Sequence, residues 1–227
     1  MSNYRDPAET EQIQKKVLMV SANLFLQNGF YRTTIQEIAD EAHLSKSILM
    51  YMFKSKEDIL CKLVGYVLDG QFSMTKKFLE GKTEDKILFY AAETTLQLYM
   101  AESSESVRDL YAAAYSLPKT SDMIQHTITG KLEVIFREHL PHLETKDFYE
   151  LEIASGGIMR GFMARPCDMY FTMQRKVRRF LETTFLVYQV PREKIEEAIA
   201  FVSQFDYDAL ALAAIDSLLR YLSVQMQ

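Results

Sequence analysis

The sequence predicts an all-α protein in which a short N-terminal three-helix module precedes a larger helical domain. Three observations lead there. Glycine and proline are scarce, at 8 and 5 of 227 residues, while Leu, Met, Ala, Glu and Lys abound. Apolar residues recur at helical spacing along the chain, and strand-like alternation is missing. The first 60 residues also carry closely spaced capping signals.

The elements follow from these signals. Asp6-Pro7-Ala8-Glu9 offers an N-cap, a proline at the first helical position and a capping acid. Ile13, Val17, Val20, Leu24 and Phe25 then share one helix face, and Asn28-Gly29 ends it. Thr34-Ile35-Gln36-Glu37 is a second capping box, with Ile35, Ile38, Ala39 and Ala42 behind it. His43-Leu44 makes a tight break, Ser45 caps a third helix running to about Phe53, and Ser55-Lys56-Glu57-Asp58 caps a fourth. Beyond this the breaks at Gly81-Lys82-Thr83, Leu117-Pro118 and Leu140-Pro141-His142 separate helices expected over about 84–102, 121–139, 146–165 and 169–188. The tail after Pro191 reads as one or two more, broken near Phe205-Asp206.

Composition narrows the function classes. Hydrophobic residues form 48 % of the chain and charged residues 25 %, which supplies an ordinary globular core. Cys61 and Cys167 are too few for a disulfide scaffold and form no metal-ribbon spacing. No secretory signal opens the chain, and no apolar run approaches the ~18 residues of a membrane span, so a cytoplasmic protein without membrane contact is expected. His43, His126, His139 and His142 lack metal-ligand spacing, and no nucleophile elbow or phosphate-binding glycine loop appears, so neither a cofactor nor catalysis is expected. The net charge is −5, yet residues 1–62 carry eight Lys/Arg and eight Asp/Glu. The deficit lies wholly in the remainder, so any nucleic-acid affinity of the first module must come from cations gathered on one face.

Two short helices joined by a minimal turn, the second exposed, make the helix-turn-helix plan. Advancing ~100° per residue from Ser45 puts Ile48, Leu49, Met52 and Phe53 on an inner side. Lys46, Ser47, Met50 and Tyr51 fall on an outer side suited to a DNA groove: Ser and Lys reach phosphates or base edges, the Tyr hydroxyl a phosphate, and Met a thymine methyl. Lys54-Ser55-Lys56 brings cations to the start of the fourth helix, where free N–H groups and Lys56 form a candidate phosphate clamp, with Arg32 as a second. Such pairs of short helices are also common in proteins that bind no nucleic acid.

The stretch from Phe30-Tyr31-Arg32-Thr33-Thr34-Ile35 through Ile38-Ala39-Asp40-Glu41-Ala42-His43-Leu44-Ser45-Lys46-Ser47-Ile48-Leu49-Met50-Tyr51-Met52-Phe53 to Lys54-Ser55-Lys56-Glu57 resembles the DNA-binding region of the TetR family. The likeness extends back to Ala22, Phe25 and Gly29 and covers about residues 10–64. Departures stand at His43 in place of the turn glycine, at Ser47-Ile48 in place of Gly-Thr, and at Met50 and Met52 in place of aromatic residues. The resemblance implies a helix-turn-helix domain over residues 1–54 and an effector-binding and dimerisation domain over 55–227. It implies a repressor that binds a pseudopalindromic double-stranded DNA operator as a homodimer and leaves it when a small molecule binds. The DNA-contacting set is then Arg32, Thr34, Ser45, Lys46, Ser47, Met50, Tyr51, Lys54 and Lys56, with an unusual operator preference expected from Ile48 and Met50.

For the larger domain the readings stay open. Gly157 and Gly161 on one face of the 146–165 helix permit close approach across a dimer or within one subunit. The helix over 169–188 carries Phe171, Val177, Phe180, Leu181, Thr184 and Tyr188 at helical spacing, and the family resemblance implies that it and the preceding helix form the dimer pair. Met74, Phe89, Tyr99, Tyr111, Tyr115, Phe162 and Met163 either line an adaptable pocket for an apolar or amphipathic effector or belong to ordinary core. Arg108 and Arg160 would meet an anionic ligand or form ion pairs. The run Arg175-Lys176-Val177-Arg178-Arg179 reads as a solvated face or a contact for an acidic partner. Two rivals remain: an enzyme or accessory protein with a decayed helix-turn-helix, and a regulator whose larger domain binds a protein.

Overall fold

The computed structural model describes residues 7–224, and the Asp6 cap lies outside the described residues. Among these the chain forms eleven α-helices and no strand. They are α1 (Pro7–Asn28), α2 (Ile35–Glu41), α3 (Lys46–Met52), α4 (Lys56–Leu79), α5 (Lys86–Glu102), α6 (Glu105–Ala114), α7 (Pro118–Phe136), α8 (Thr145–Ala164), α9 (Met173–Val187), α10 (Arg192–Val202) and α11 (Tyr207–Val224).

The N-terminal boundaries are set by side chains that satisfy free backbone N–H groups. Thr34 Oγ1 accepts from Glu37 N at 3.1 Å while Thr34 N donates to Glu37 Oε2 at 2.6 Å, a complete capping box. Ser45 Oγ accepts from Ile48 N at 3.3 Å, and Ser55 Oγ from Asp58 N at 3.1 Å. At the end of α1, Gly29 has φ +84°, and a Cβ there would lie 3.3 Å from Asp109 Oδ2, so glycine answers both conformation and space.

His43 sits at φ +53°, the left-handed region, in the turn between α2 and α3. An L-residue there is strained by roughly 1–2 kcal/mol. His43→Gly should therefore stabilise the protein by about 1 kcal/mol and raise Tm by roughly 2–4 °C, after allowing for the added freedom of the unfolded chain. Differential scanning calorimetry checks this, and an unchanged or lower Tm would show that the imidazole contributes something the backbone argument omits.

Several boundaries differ from the sequence expectation. α5 begins at Lys86, later than expected, because Asp85 Oδ1 accepts from both Ile87 N and Leu88 N. α6, capped by Ser104, is a separate element that the sequence expectation lacks. α7 begins at Pro118, since proline suits the first helical position instead of ending an element. α9 begins at Met173, because Asp168 Oδ1 ties Tyr170 N and Phe171 N into a turn and Thr172 then caps the helix.

α5 is the axis of the larger part. From Leu88 to Ala101 nearly every residue is buried, as expected of a helix apolar all round. It packs against α4, α6, α7, α8, α9, α10 and α11. The tail helices α10 and α11 cover the core, with α11 also touching α1 and α4. A continuous apolar core runs from Val17, Phe25 and Leu49 to Phe148 and Phe180. No single described helix is long and apolar enough to cross a membrane.

Candidate DNA interface and sensor cavities

The α3 helix presents two unlike sides. Leu49 is fully buried and Ile48 and Met52 half-buried, whereas Lys46, Ser47, Met50 and Tyr51 are exposed, Tyr51 to 88 %. This matches the expected inner and outer sets. Arg32, Thr34, Ser45 and Lys54 are also exposed. Their roles differ, however. Thr34 and Ser45 spend their hydroxyls as caps, and Arg32 Nε donates to Asn28 O at 2.7 Å, fastening the end of α1.

Lys56 departs most from its expected role as a phosphate clamp. Its Nζ donates to Phe30 O and Thr33 O, each at 2.6 Å, and lies 4.3 Å from the centre of the Phe30 ring. Desolvation lowers its pKa, an effect partly offset by the charge of Glu37. The ammonium thus fastens the α1–α2 turn to the first turn of α4. Lys56→Met should lower stability by about 2 kcal/mol, the order of magnitude for stranding carbonyl partners at a half-exposed site, and Tm by roughly 4–8 °C. Weaker DNA binding with an unchanged Tm would instead show that Nζ leaves the carbonyls for a phosphate.

Behind this module lies an apolar cavity of about 60 Å³ bounded by α1, α4, α5, α6, α7 and α11. Leu26, Leu63, Val67, Met100, Leu110 and Tyr111 are in its wall. A second cavity, about 30 Å³, lies among α4–α8 and is lined by Glu93, Gln97, Tyr115, Glu152 and Ser155 with apolar neighbours. Gln97 and Tyr115 line both. Tyr115 Oη donates to Gln97 Oε1 at 3.1 Å, and Gln97 Nε2 donates to Glu93 at 2.7 and 2.9 Å. Tyr188 Oη donates to Ser155 Oγ at 2.7 Å, which donates to Glu152 Oε2 at 2.9 Å. Burial pushes Glu93 up to about 7 and Glu152 up to about 8, the second helped by the charge of the first. A larger surface groove, about 960 Å³, runs between α4, α5 and α7, with Phe89 in its wall.

The expected effector residues divide accordingly. Tyr111 and Tyr115 line the cavities. Tyr99 instead stacks on Tyr207, with ring centres 5.4 Å apart. Arg108 is spent on Glu102 at 2.8 Å, an ion pair that also includes Lys176 Nζ at 2.6 Å. Arg160 faces outward on α8, about 100° around from buried Met159. Phe162 packs against Phe171 and Phe180, and Met163 is wholly core. Met74 lies in a separate minor void beside Tyr207. The basic run does not form a free cationic face: Lys176 is buried against Glu102 and Arg165 O, Arg178 pairs with Glu182 and Glu196, and Arg179 with Glu182.

A model of the bacterial regulatory proteins of the tetR family matches residues 17–62, the stretch from the buried face of α1 to the first turns of α4. Over this stretch the chain is similar to the TetR family. Relatives include the HTH-type transcriptional regulator HbdR of Aromatoleum sp. (strain CIB), 33 % identical over 78 residues, covering 34 % of each chain. The regulator RutR of Escherichia coli (strain K12) is 26 % identical over 129 residues, covering 55 % of this chain and 57 % of its own. QacR of Staphylococcus aureus (strain Mu50 / ATCC 700699) is 25 % identical over 131 residues, covering 56 % and 70 %. The matched part thus spans about a third of HbdR and little more than half of RutR. A crystal structure of a gamma-butyrolactone receptor (ArpA like protein) superposes with a TM-score of 0.46 at 17 % identity, over 86 % of this chain and 97 % of that one.

Within the matched stretch, His43 takes the positive φ for which glycine is suited. The residues the sequence reading missed are Glu93, Gln97 and Glu152. Glu93 carried a signal, as the one charged residue between Lys86 and Glu102. Glu152 carried another, since it shares a helix face with Phe148, Ser155 and Met159.

Proposed function

We infer that the protein is a cytoplasmic transcriptional repressor that binds a pseudopalindromic operator as a homodimer and is released by a small-molecule effector. The carrying observation is α3, anchored by Leu49 and offering Lys46, Ser47, Met50 and Tyr51 to solvent on one face. Residues 1–54 act as the reading module and 55–227 as the sensing and dimerising part. Arg32, Thr34, Ser45 and Lys54 border the reading face.

Dimerisation is supported by the outward side of α8 and α9. Ile153 and Leu186 are exposed there, and a Cβ at Gly157 or Gly161 would meet nothing within 4 Å. The space beside these glycines is therefore open for a second copy to approach. Two reading helices ~34 Å apart then match one turn of DNA.

Effector release is supported by the wall of the apolar cavity, which includes Leu26 of α1 and Leu60 of α4. A drug-sized ligand needs roughly 300 Å³ or more, so its entry must push these helices apart. α6 conveys the change too, since Ser106 Oγ donates to Gln27 O at 3.1 Å. A hundredfold preference for the widened form is worth about 2.7 kcal/mol. The small size of the cavities also favours a second reading, in which the larger part binds a protein instead of a metabolite.

DNase footprinting on the DNA flanking the gene tests the proposal. Two protected half-sites one turn apart are expected. Absence of protection by a folded dimer would overturn it.

A further inference from the structure

Glu93 and Glu152 are 2 % and 4 % exposed, at the heart of a helical core. Both oxygens of Glu93 share one donor, Gln97 Nε2. Glu152 Oε2 accepts from Ser155, while its Oε1 has no hydrogen-bond partner among the described residues. Four carboxylate oxygens therefore have two side-chain donors between them. The cation whose field reaches Glu93 is Lys131 on α7. Its ammonium is engaged elsewhere, 3.2 Å from Asp69 and 4.1 Å from the centre of the Phe72 ring.

Buried carboxylates without a paired cation are costly and call for a proton or a positive ligand. Here they border a void, and across the Gln97–Tyr115 partition lies the apolar cavity. The two voids together offer an acidic end and an apolar end.

The geometry points to an organic monocation, a protonated amine or quaternary ammonium with an apolar body, as the effector, its charge held by Glu93 and Glu152 and its body beside Leu63, Met100 and Leu110. This rests on the reading of the protein as a ligand-released regulator and supplies the chemical class of that ligand. In the free protein at neutral pH the pair is largely, not fully, protonated, since burial holds both carboxyls well above the usual range. The arriving cation displaces those protons into solvent. An anionic ligand would meet repulsion as soon as either acid ionised, and a neutral one would gain no ionic attraction from the two acids.

Three probes of matched shape test this on the full chain: 4-phenylbutylamine, 4-phenylbutanol and 4-phenylbutyrate. Calorimetric titration at pH 8 should give the amine a Kd at least tenfold below the other two. At pH 7, titrations in buffers of different ionisation enthalpy should show proton release on binding of the amine alone. Glu93→Gln/Glu152→Gln should remove the amine's advantage while leaving the alcohol's affinity within about twofold, which also reports that the variant is folded. Equal affinity for all three probes, no binding of any of them to millimolar concentration, or an amine advantage that survives the double substitution would overturn the proposal. A gel shift with the footprinted DNA is read separately. Amine binding without DNA release leaves the site standing and removes the effector role.

Discussion

The Lys46→Ala/Tyr51→Ala protein should lose operator affinity by roughly a thousandfold while keeping its fold. Both side chains are exposed on the outer face of α3, and the core side of that helix, Leu49 with Ile48 and Met52, is untouched. In the proposed dimer, two contacts would be lost at each of two half-sites. At about 1 kcal/mol per contact the loss is about 4 kcal/mol, close to three decades. Lys46 is also the first residue of α3, where a cation opposes the helix dipole, so its removal should leave stability level or raise it slightly. Two lost lysine–phosphate contacts should flatten the salt dependence by about two units in the log–log slope. Fluorescence anisotropy at several salt concentrations, beside a melting curve, measures all three. An unchanged Kd would exclude α3 as the reading helix.

The second large effect is a loss of stability toward alkaline pH that the acids of the core cause. Glu93 and Glu152 hold protons in the folded state up to about 7 and about 8, against an ordinary value of 4.5. Between roughly pH 4.5 and 8 the folded protein therefore binds more protons than the unfolded chain, and its stability falls as pH rises. Below that window both states are protonated and the pair contributes nothing. Above it the whole penalty is present. Facing groups do not cancel this: Tyr90, Tyr115 and Tyr188 are themselves raised by burial and stay neutral, and Lys131 acts only through space. Each unit of raised pKa is worth about 1.4 kcal/mol, so raising the two acids from 4.5 to about 7 and about 8 costs up to roughly 8 kcal/mol at pH 9, of which glutamine amides, themselves desolvated in the core, recover part. Glu93→Gln/Glu152→Gln should then raise Tm at pH 9 by roughly 10 °C and by little at pH 5. Parallel Tm–pH curves for parent and variant would sink this account.

Legibility in the sequence tracks the range of the forces involved. Thr34, Ser45 and Ser55 act on N–H groups three residues away, so their caps could be read from neighbours in the chain. The two faces of α3 come from a fixed rotation per residue. The destination of Lys56 was not legible, because its carbonyl partners are 23 and 26 residues upstream and only the folded turn brings them into reach. The same holds for the cavities. Arg160 and Met163 lie three residues apart on one helix, yet one faces solvent and the other the core, and choosing between them requires knowing where α8 packs. The meeting of Glu93 and Glu152 depends on α5 and α8 packing together, although each acid was conspicuous in its own helix.

The hold of Lys56 on Phe30 and Thr33 also governs how the protein can be dissected. A fragment ending at residue 54 would keep all of α1, α2 and α3 yet lack the ammonium that closes the α1–α2 turn, and with it Ile59 and Leu60 of the shared core. Extending the fragment by the first turns of α4 restores both. Residues 55–64 thus belong mechanically to two bodies at once, the closing clasp of the α1–α3 module and the near end of the 24-residue rod that borders the cavities. In the proposed regulator, a push on that rod would reach α2 and α3 through the contacts of Lys56 with Phe30 O and Thr33 O.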